Sequence, residues 1–194
     1  MIDFHAVFMS TGIVTLAEMG DKTQLLAFLL ATRFKKPSPI ILGILCATII
    51  NHALAGAIGT WVTSLFAPEV LRWVLGISFL GMAIWTLIPD KLDEDDQQLK
   101  TGSGVFLTTT IAFFLAEMGD KTQIATVALA AHYGAPVSVV VGTTLGMMIA
   151  DAPAVFLGNA FAAKLPLKII HSVAAALFAL IGIFILLKGE NFVN

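Results

Sequence analysis

The stretch LAEMGDKTQ occupies Leu16–Gln24 and occurs a second time, unchanged, at Leu115–Gln123. We call these copies motif 1 and motif 2. Each carries two carboxylates and a lysine inside an otherwise apolar segment, a combination too specific to arise from composition alone. The candidate functional centre therefore consists of the four motif acids, Glu18, Asp21, Glu117 and Asp120.

The segments around the motifs have the composition of a membrane protein. The chain is 58% hydrophobic and 12% charged, whereas soluble domains are about 25% charged. Its apolar runs reach the roughly 20 residues that a helix needs to cross a bilayer. We expect one integral membrane domain in contact with lipid. The net charge of -2 without a basic patch argues against nucleic acid as a partner, and the single Cys46 cannot form an intramolecular disulfide.

Six apolar segments follow one another along the chain. We predict membrane spans at residues 4–32, 38–62, 69–88, 105–132, 137–161 and 167–187. The first is longer than one span requires and is interrupted by Gly20 and the charged motif, so it is tilted, kinked or broken. The prediction is an all-α integral membrane protein with six transmembrane helices as two inverted three-helix repeats. Residues 1–89 form the first repeat, 90–103 an acidic cytoplasmic linker and 104–194 the second repeat.

The duplication extends beyond the motifs. An offset of 99 residues also aligns further pairs, namely Thr11 with Thr110, Gly43 with Gly142, Ala53 with Ala152, Ala55 with Ala154 and Gly59 with Gly158. A repeat of three spans ends on the opposite side of the membrane, so the second copy runs inverted. Transporters with inverted repeats bind their substrate near the bilayer midplane, between the repeats.

Basic residues outside the motifs predict the orientation. Links one, three and five between the spans hold Arg33, Lys35, Lys36, Lys91, Lys100, Lys164 and Lys168. The opposite side has only Lys188 and, at the end of a span, Arg72. Because cytoplasmic loops carry the excess of Lys and Arg, both termini should lie outside, on the periplasmic side.

The motif acids have the chemistry of a cation site. On a continuous helix Glu18 and Asp21 would lie about 60 degrees apart, and Glu18 and Lys22 about 40 degrees, so all three would share one face. Ionised groups in hydrocarbon are costly, so this face should line the protein interior or a water-filled cavity. Oxygen donors without paired His or Cys suit Mg, Ca or Mn.

Four further polar residues extend the predicted metal site. Gln24 and Gln123 offer carbonyl oxygens, although hydrogen bonding between helices is a nearly equal alternative. Asp151 is the best additional ligand or proton carrier, and Asn51 is a weaker one. His52, which the offset pairs with Asp151, fits a packing role better than a proton relay.

The charge balance of the two motifs suggests ion exchange. Four carboxylates against two lysines leave a formal charge of about -2. One divalent cation neutralises that charge, and so do two protons. Competition between the cation and coupled H⁺ for the same carboxylates is therefore our mechanistic hypothesis. No prosthetic group is expected.

With these motifs the chain resembles a family of divalent-cation/proton antiporters that carry two E-x-G-D-K/R-T/S signatures, with members in bacteria, chloroplasts and the Golgi. Glu18–Thr23 and Glu117–Thr122 match the signature without departure, and the resemblance covers essentially the whole chain. It implies Mn²⁺ export in exchange for protons, with Ca²⁺ as a possible second substrate. It also implies cation-site roles for the motif acids and a multi-pass protein of the bacterial inner membrane.

Other interpretations remain open on the sequence alone. A salt-bridge lock, for example Glu18 with Lys22, would merely hold helices together. A calcium/proton exchanger of the same design and an exporter of small organic solutes are the alternative transporters. An enzyme or scaffold is disfavoured, because we find neither a paired-His metal motif nor a G-x-S-x-G nucleophile elbow. Both a monomer and a homodimer are compatible with this size.

Overall fold

The computed structural model describes residues 2–88, 104–157 and 166–187. Within these ranges the fold consists of helices, without any strand. The helices are α1 (Phe4–Glu18), α2 (Lys22–Phe34), α3 (Pro37–Leu65), α4 (Pro68–Thr86), α5 (Val105–Glu117), α6 (Lys121–Tyr133), α7 (Pro136–Leu157) and α8 (Leu167–Leu187). The predicted linker at 90–103 lies outside the described residues, as do Gly158, Lys164 and Lys188.

Four of these helices are long and apolar enough to cross a membrane. They are α3, α4, α7 (over Pro136–Phe156) and α8. Helices α1 and α5 are apolar but shorter, and each is followed by a second short helix that begins within a motif. Large apolar side chains point away from the protein along these helices, for example Leu180 and Phe184 of α8. Such a surface is typical of contact with lipid rather than water.

The helix ends follow from residues with restricted or unusual backbone geometry. Pro37 and Pro68 are the first residues of α3 and α4, where a missing N–H costs no hydrogen bond. Helix α2 ends before Lys35, which adopts a left-handed conformation with φ of 52°. Helix α6 ends in the same way at Gly134. These turns place α3 and α7 directly after the two short helices.

Both motifs break their helix, which corrects the prediction of one continuous helical face. Helix α1 ends at Glu18 because Met19 is extended and Gly20 has a φ of 85°. Asp21 then caps α2, its side chain accepting a hydrogen bond from the Lys22 N–H. A positive φ cannot continue a right-handed helix, and an aspartate is a good first cap of a new one. The predicted spans 4–32 and 105–132 are therefore each two helices.

The same helix interface occurs twice, and each time it joins a helix of the first half to a helix of the second half. Gly43 of α3 lies against the Phe106 carbonyl of α5, and Gly142 of α7 lies against the Val7 carbonyl of α1. Both the glycines and the carbonyls are 99 residues apart in sequence. A Cβ at Gly142 would stand 2.5 Å from the carbonyl oxygen of Val7, so only glycine lets these backbones approach so closely. Helices α4 and α8 pack on each other.

Candidate metal centre

Three of the four motif acids meet in the interior. Glu18, Asp21 and Asp120 each place one carboxylate oxygen within 4.8 Å of the others. All three side chains are buried, and they come from both motifs, about 100 positions apart in sequence. The broken helices make this possible, because Glu18 ends α1 while Asp21 and Asp120 begin α2 and α6. Glu117, the fourth acid, is fully buried at the end of α5.

A threonine of each motif fixes the glutamate of the same motif. The Thr23 hydroxyl donates to Glu18 Oε2 at 2.7 Å, and the Thr122 hydroxyl donates to Glu117 Oε2 at 3.0 Å. Within the described part of the chain, the other carboxylate oxygen of each glutamate is buried without a hydrogen-bond partner. A buried carboxylate oxygen left in this state is costly unless a cation or a proton reaches it. Each glutamate is therefore oriented by one hydrogen bond, and its second oxygen has none among the described residues.

The two lysines pair with the aspartates of the opposite motif. Lys121 Nζ lies 2.9 Å from Asp21 Oδ1, and Lys22 Nζ lies 3.5 Å from Asp120 Oδ1. The first pair is fully buried, whereas the Lys22 side chain is 19% exposed. The ion pairs thus cross between the halves. The Glu18–Lys22 lock considered above is not among the ion pairs of the described residues.

The motif glutamines hydrogen-bond the backbone at the helix breaks. Gln24 Oε1 accepts a hydrogen bond from the Gly20 N–H at 3.1 Å, and Gln123 Oε1 accepts one from the Gly119 N–H at 2.8 Å. The amide nitrogen of Gln24 donates to the Ala150 carbonyl at 2.9 Å. Both amide oxygens, predicted as metal ligands, thus bond to the backbone of the break.

The remaining predicted residues lie on α3 and α7. Asn51 accepts from Gln123 Nε2 at 3.4 Å and donates to the Phe114 carbonyl at 3.1 Å. Asp151 is fully buried, and neither of its oxygens has a hydrogen-bond partner among the described residues. His52 is likewise buried with both ring nitrogens unbonded there. A role of Asp151 as a ligand or proton carrier stays a prediction.

Two residues near motif 1 were not foreseen from the sequence. His171 Nε2 lies 2.7 Å from the Met19 carbonyl oxygen, and the Leu167 side chain covers Gly20. Both belong to the first turns of α8, far from the motif in sequence. No spacing rule links them to motif 1, so only the tertiary structure reveals that α8 covers this break.

The arrangement is suited to a hard cation. The acid cluster provides only oxygen donors, which Mg²⁺, Ca²⁺ and Mn²⁺ accept. The two motif lysines pair with the two aspartates, so they neutralise two of the four carboxylate charges and leave the glutamate oxygens without an ion pair among the described residues. Acids within the membrane-spanning part of a protein often mark ion or proton pathways. Fold and site together define a membrane protein, helical throughout the described residues, with a buried cluster of carboxylates.

Comparison with known proteins identifies the family. The model of the family "Divalent cation/proton antiporter GDT1" matches residues 6–94 and, separately, residues 105–191. The chain belongs to this family, and the two matches correspond to the two halves that the motifs define. It is thus a member of a transporter family.

Similar proteins occur in bacteria and plants. A Vibrio cholerae serotype O1 protein named "Putative manganese exporter" is 53% identical over 171 residues, covering 88% of this chain and 84% of that protein. GDT1-like protein 3 of Oryza sativa subsp. indica is 31% identical over 201 residues, covering 90% of this chain and 71% of its own length. GDT1-like protein 5 of Arabidopsis thaliana is 26% identical, covering 90% and 92% of the two chains. No solved structure gives a significant match.

Proposed function

We propose that this protein exports Mn²⁺ across the bacterial inner membrane in exchange for protons. The observation that carries the proposal is the buried cluster of Glu18, Asp21 and Asp120, whose oxygens lie within 4.8 Å of one another. Membership of the divalent cation/proton antiporter family and the name of the Vibrio cholerae relative support the same function.

In this proposal the cation binds between the two motifs. Glu18, Asp21 and Asp120 supply its first ligands, and Glu117 supplies the corresponding oxygen of the second half. Asp151 serves as a further ligand or as a proton carrier. Protons returning to the glutamate oxygens release the metal, because the four acids and two lysines of the motifs are together neutral with either one divalent cation or two protons. The crossed lysines limit the excess negative charge when neither is bound.

We further propose six membrane-crossing units arranged as two inverted repeats, residues 1–89 and 104–194, joined by a cytoplasmic linker at 90–103. Helices α1 with α2, and α5 with α6, would each form one broken span. The twofold family match and the duplicated glycine interface support this arrangement. The excess of Arg and Lys in links one, three and five supports external termini.

Transport in proteoliposomes tests the function directly. We expect purified protein to move Mn²⁺, with a rate that follows an imposed pH gradient. Glu18→Gln should abolish this flux, because the substitution removes a charged ligand while keeping the shape and the bond with Thr23. Glu69→Gln, which changes an exposed acid in the first turn of α4, is the matched control and should leave flux unchanged. Equal flux in the wild type and Glu18→Gln contradicts the proposal.

Calcium is the second candidate substrate, since an oxygen-only donor set suits Ca²⁺ as well as Mn²⁺. The same vesicles distinguish the two. Mn²⁺ flux that persists in excess Ca²⁺ supports a manganese exporter, whereas Ca²⁺ flux with its own pH dependence supports a calcium/proton exchanger.

A further inference from the structure

Each helix break is held by a glutamine that uses both ends of its amide. The N–H groups of Gly20 and Gly119 follow the end of a helix and find their acceptor in Gln24 and Gln123. The nitrogen end of each amide then reaches across to another helix of the protein. These glutamines therefore connect the breaks to the surrounding fold.

The two halves differ in what the glutamine meets. Gln24 Nε2 donates to the backbone carbonyl of Ala150 on α7, whereas Gln123 Nε2 donates to the side chain of Asn51 on α3. Asn51 and Ala150 are equivalent positions under the 99-residue offset. One half thus uses a backbone oxygen at the place where the other half uses an amide side chain.

Asn51 supports the motif 2 break from both sides. Its oxygen accepts from Gln123, which bonds the Gly119 N–H just after Glu117. Its nitrogen donates to the carbonyl of Phe114, three residues before Glu117, in the last turn of α5. Asn51 itself is fully buried. Both ends of its amide are therefore used in fixing the backbone that carries Glu117 and Asp120.

We propose that Asn51 is a positioning residue of the cation site, which acts through Gln123 and Phe114 on Glu117 and Asp120 without binding the cation itself. This inference rests on the proposed function for its effect on transport. Groups that orient metal ligands typically contribute about 10–100-fold to metal affinity or activity. Asn51 and Gln123 should act as one unit, whereas Asn51 and Gln24 should act independently.

A double-mutant comparison of Mn²⁺ flux in proteoliposomes tests the coupling. Asn51→Ala and Gln123→Ala should each raise the half-saturating Mn²⁺ concentration by about 10–100-fold. The half-saturating Mn²⁺ concentration of the double variant should not exceed that of the more severely affected single variant. Gln24→Ala is the matched control, and its effect should multiply with that of Asn51→Ala. Multiplicative effects of Asn51→Ala and Gln123→Ala would overturn the proposal.

Asn51→Asp separates positioning from direct ligation. It keeps an acceptor for Gln123 but loses the donor to the Phe114 carbonyl and adds a negative charge. A residue that touches the cation would bind Mn²⁺ more tightly as a carboxylate. A positioning residue instead loses affinity, so tighter Mn²⁺ binding by this variant refutes our assignment.

Amide hydrogen exchange supplies a readout that does not depend on transport. Asn51→Ala should speed exchange at the Gly119 N–H, because Gln123 loses its anchor, and should leave the Gly20 N–H unchanged. Unchanged exchange at Gly119 refutes the positioning role. If the wild-type protein carries no Mn²⁺, the proposed function fails, and exchange at Gly119 still decides whether Asn51 holds the break.

Discussion

The lysine of each motif serves the opposite motif. Lys121 contacts Asp21 and Lys22 contacts Asp120, so the two halves are joined by charge at the candidate metal centre. A buried ion pair adds little net stability, because desolvation offsets the attraction. Removing one partner is nevertheless costly, since the other charge is then left buried and unpaired. The crossed pairs therefore make each half depend on the other.

The two lysines should differ in their contribution to stability. Lys121→Met removes a fully buried pair and should lower the free energy of unfolding by about 3–5 kcal/mol. Lys22→Met should cost less, because Lys22 is 19% exposed and its pair is longer, at 3.5 Å. Thermal unfolding in detergent measures both. Equal losses in the two variants would contradict this difference in burial.

The motif acids could be identified from the sequence, but their contacts could not. Duplication alone picked out Glu18, Asp21 and Asp120, which the structure brings together. The helical geometry used to group them was wrong, and it placed Lys22 beside Glu18. The crossed pairs depend on how the halves meet, which no spacing within one motif encodes.

Among the elements, the break in each motif helix decides where the acids lie. A continuous helix would leave Glu18 and Asp21 with their backbone groups satisfied and their side chains a turn apart. Gly20 and Gly119 instead turn the chain at φ values of 85° and 77°. The two breaks have the same sequence and different surroundings, because α8 covers only the first.

Alanine at the two break glycines should reveal this difference. A positive φ costs a residue with a Cβ about 1–2 kcal/mol, so both variants should be destabilised. Gly20→Ala should lose more stability than Gly119→Ala. A Cβ at Gly20 would lie 2.6 Å from the Leu167 side chain, whereas a Cβ at Gly119 would have nothing within 4 Å. The measurement is thermal unfolding, with Leu167→Ala as the second change. Leu167→Ala should be less harmful in Gly20→Ala than in Gly119→Ala, and equal effects would refute the contact.

The glycines at the helix interfaces should also tolerate alanine less well than glycines elsewhere in the helices. Gly43→Ala and Gly142→Ala should destabilise the protein by about 1–3 kcal/mol, as overpacking does. Gly12→Ala and Gly81→Ala are matched controls in helices, because nothing lies within 4 Å of their Cβ positions. Higher helix propensity should stabilise these controls by up to about 1 kcal/mol. Loss of stability in the controls would show that helix position rather than interface contact matters.

Most elements were predictable because apolar run length is a strong signal. The predicted segments 38–62, 69–88 and 167–187 correspond to α3, α4 and α8, with α3 beginning one residue earlier and extending to Leu65. The breaks were harder to predict, since the sequence left a tilted, a kinked and a broken segment equally open. The bond from the Gly20 N–H to Gln24 Oε1 is local to the motif, whereas the packing of Leu167 of α8 against Gly20 is a tertiary feature that the motif does not encode.

Across the whole molecule, the two halves are similar in sequence but not in environment. Helix α4 packs on α6, and α8 packs on α1. The repeat-related alternatives, α4 on α5 and α8 on α2, are not among the extensive contacts of the described helices. The α4–α8 pair therefore lies toward α1 and α6. The two breaks differ accordingly in how far they are covered. Met118 at the motif 2 break is 53% exposed, whereas at the motif 1 break His171 of α8 hydrogen-bonds the Met19 carbonyl.

This asymmetry predicts different chemical access to the two breaks. In a Cys46→Ser background, Met118→Cys should react with N-ethylmaleimide faster than Met19→Cys, because α8 covers only the first break. His171→Ala should speed the reaction at position 19 and leave position 118 unchanged, since Arg72, the counterpart of His171, lies over Trp73 instead. Labelling rates measured by mass spectrometry in nanodiscs give both comparisons. Equal rates at the two positions would contradict this prediction. They would mean that the protein alternates rapidly between this arrangement and one in which the motif 2 break is covered instead, because an even mixture of the two exposes each break equally.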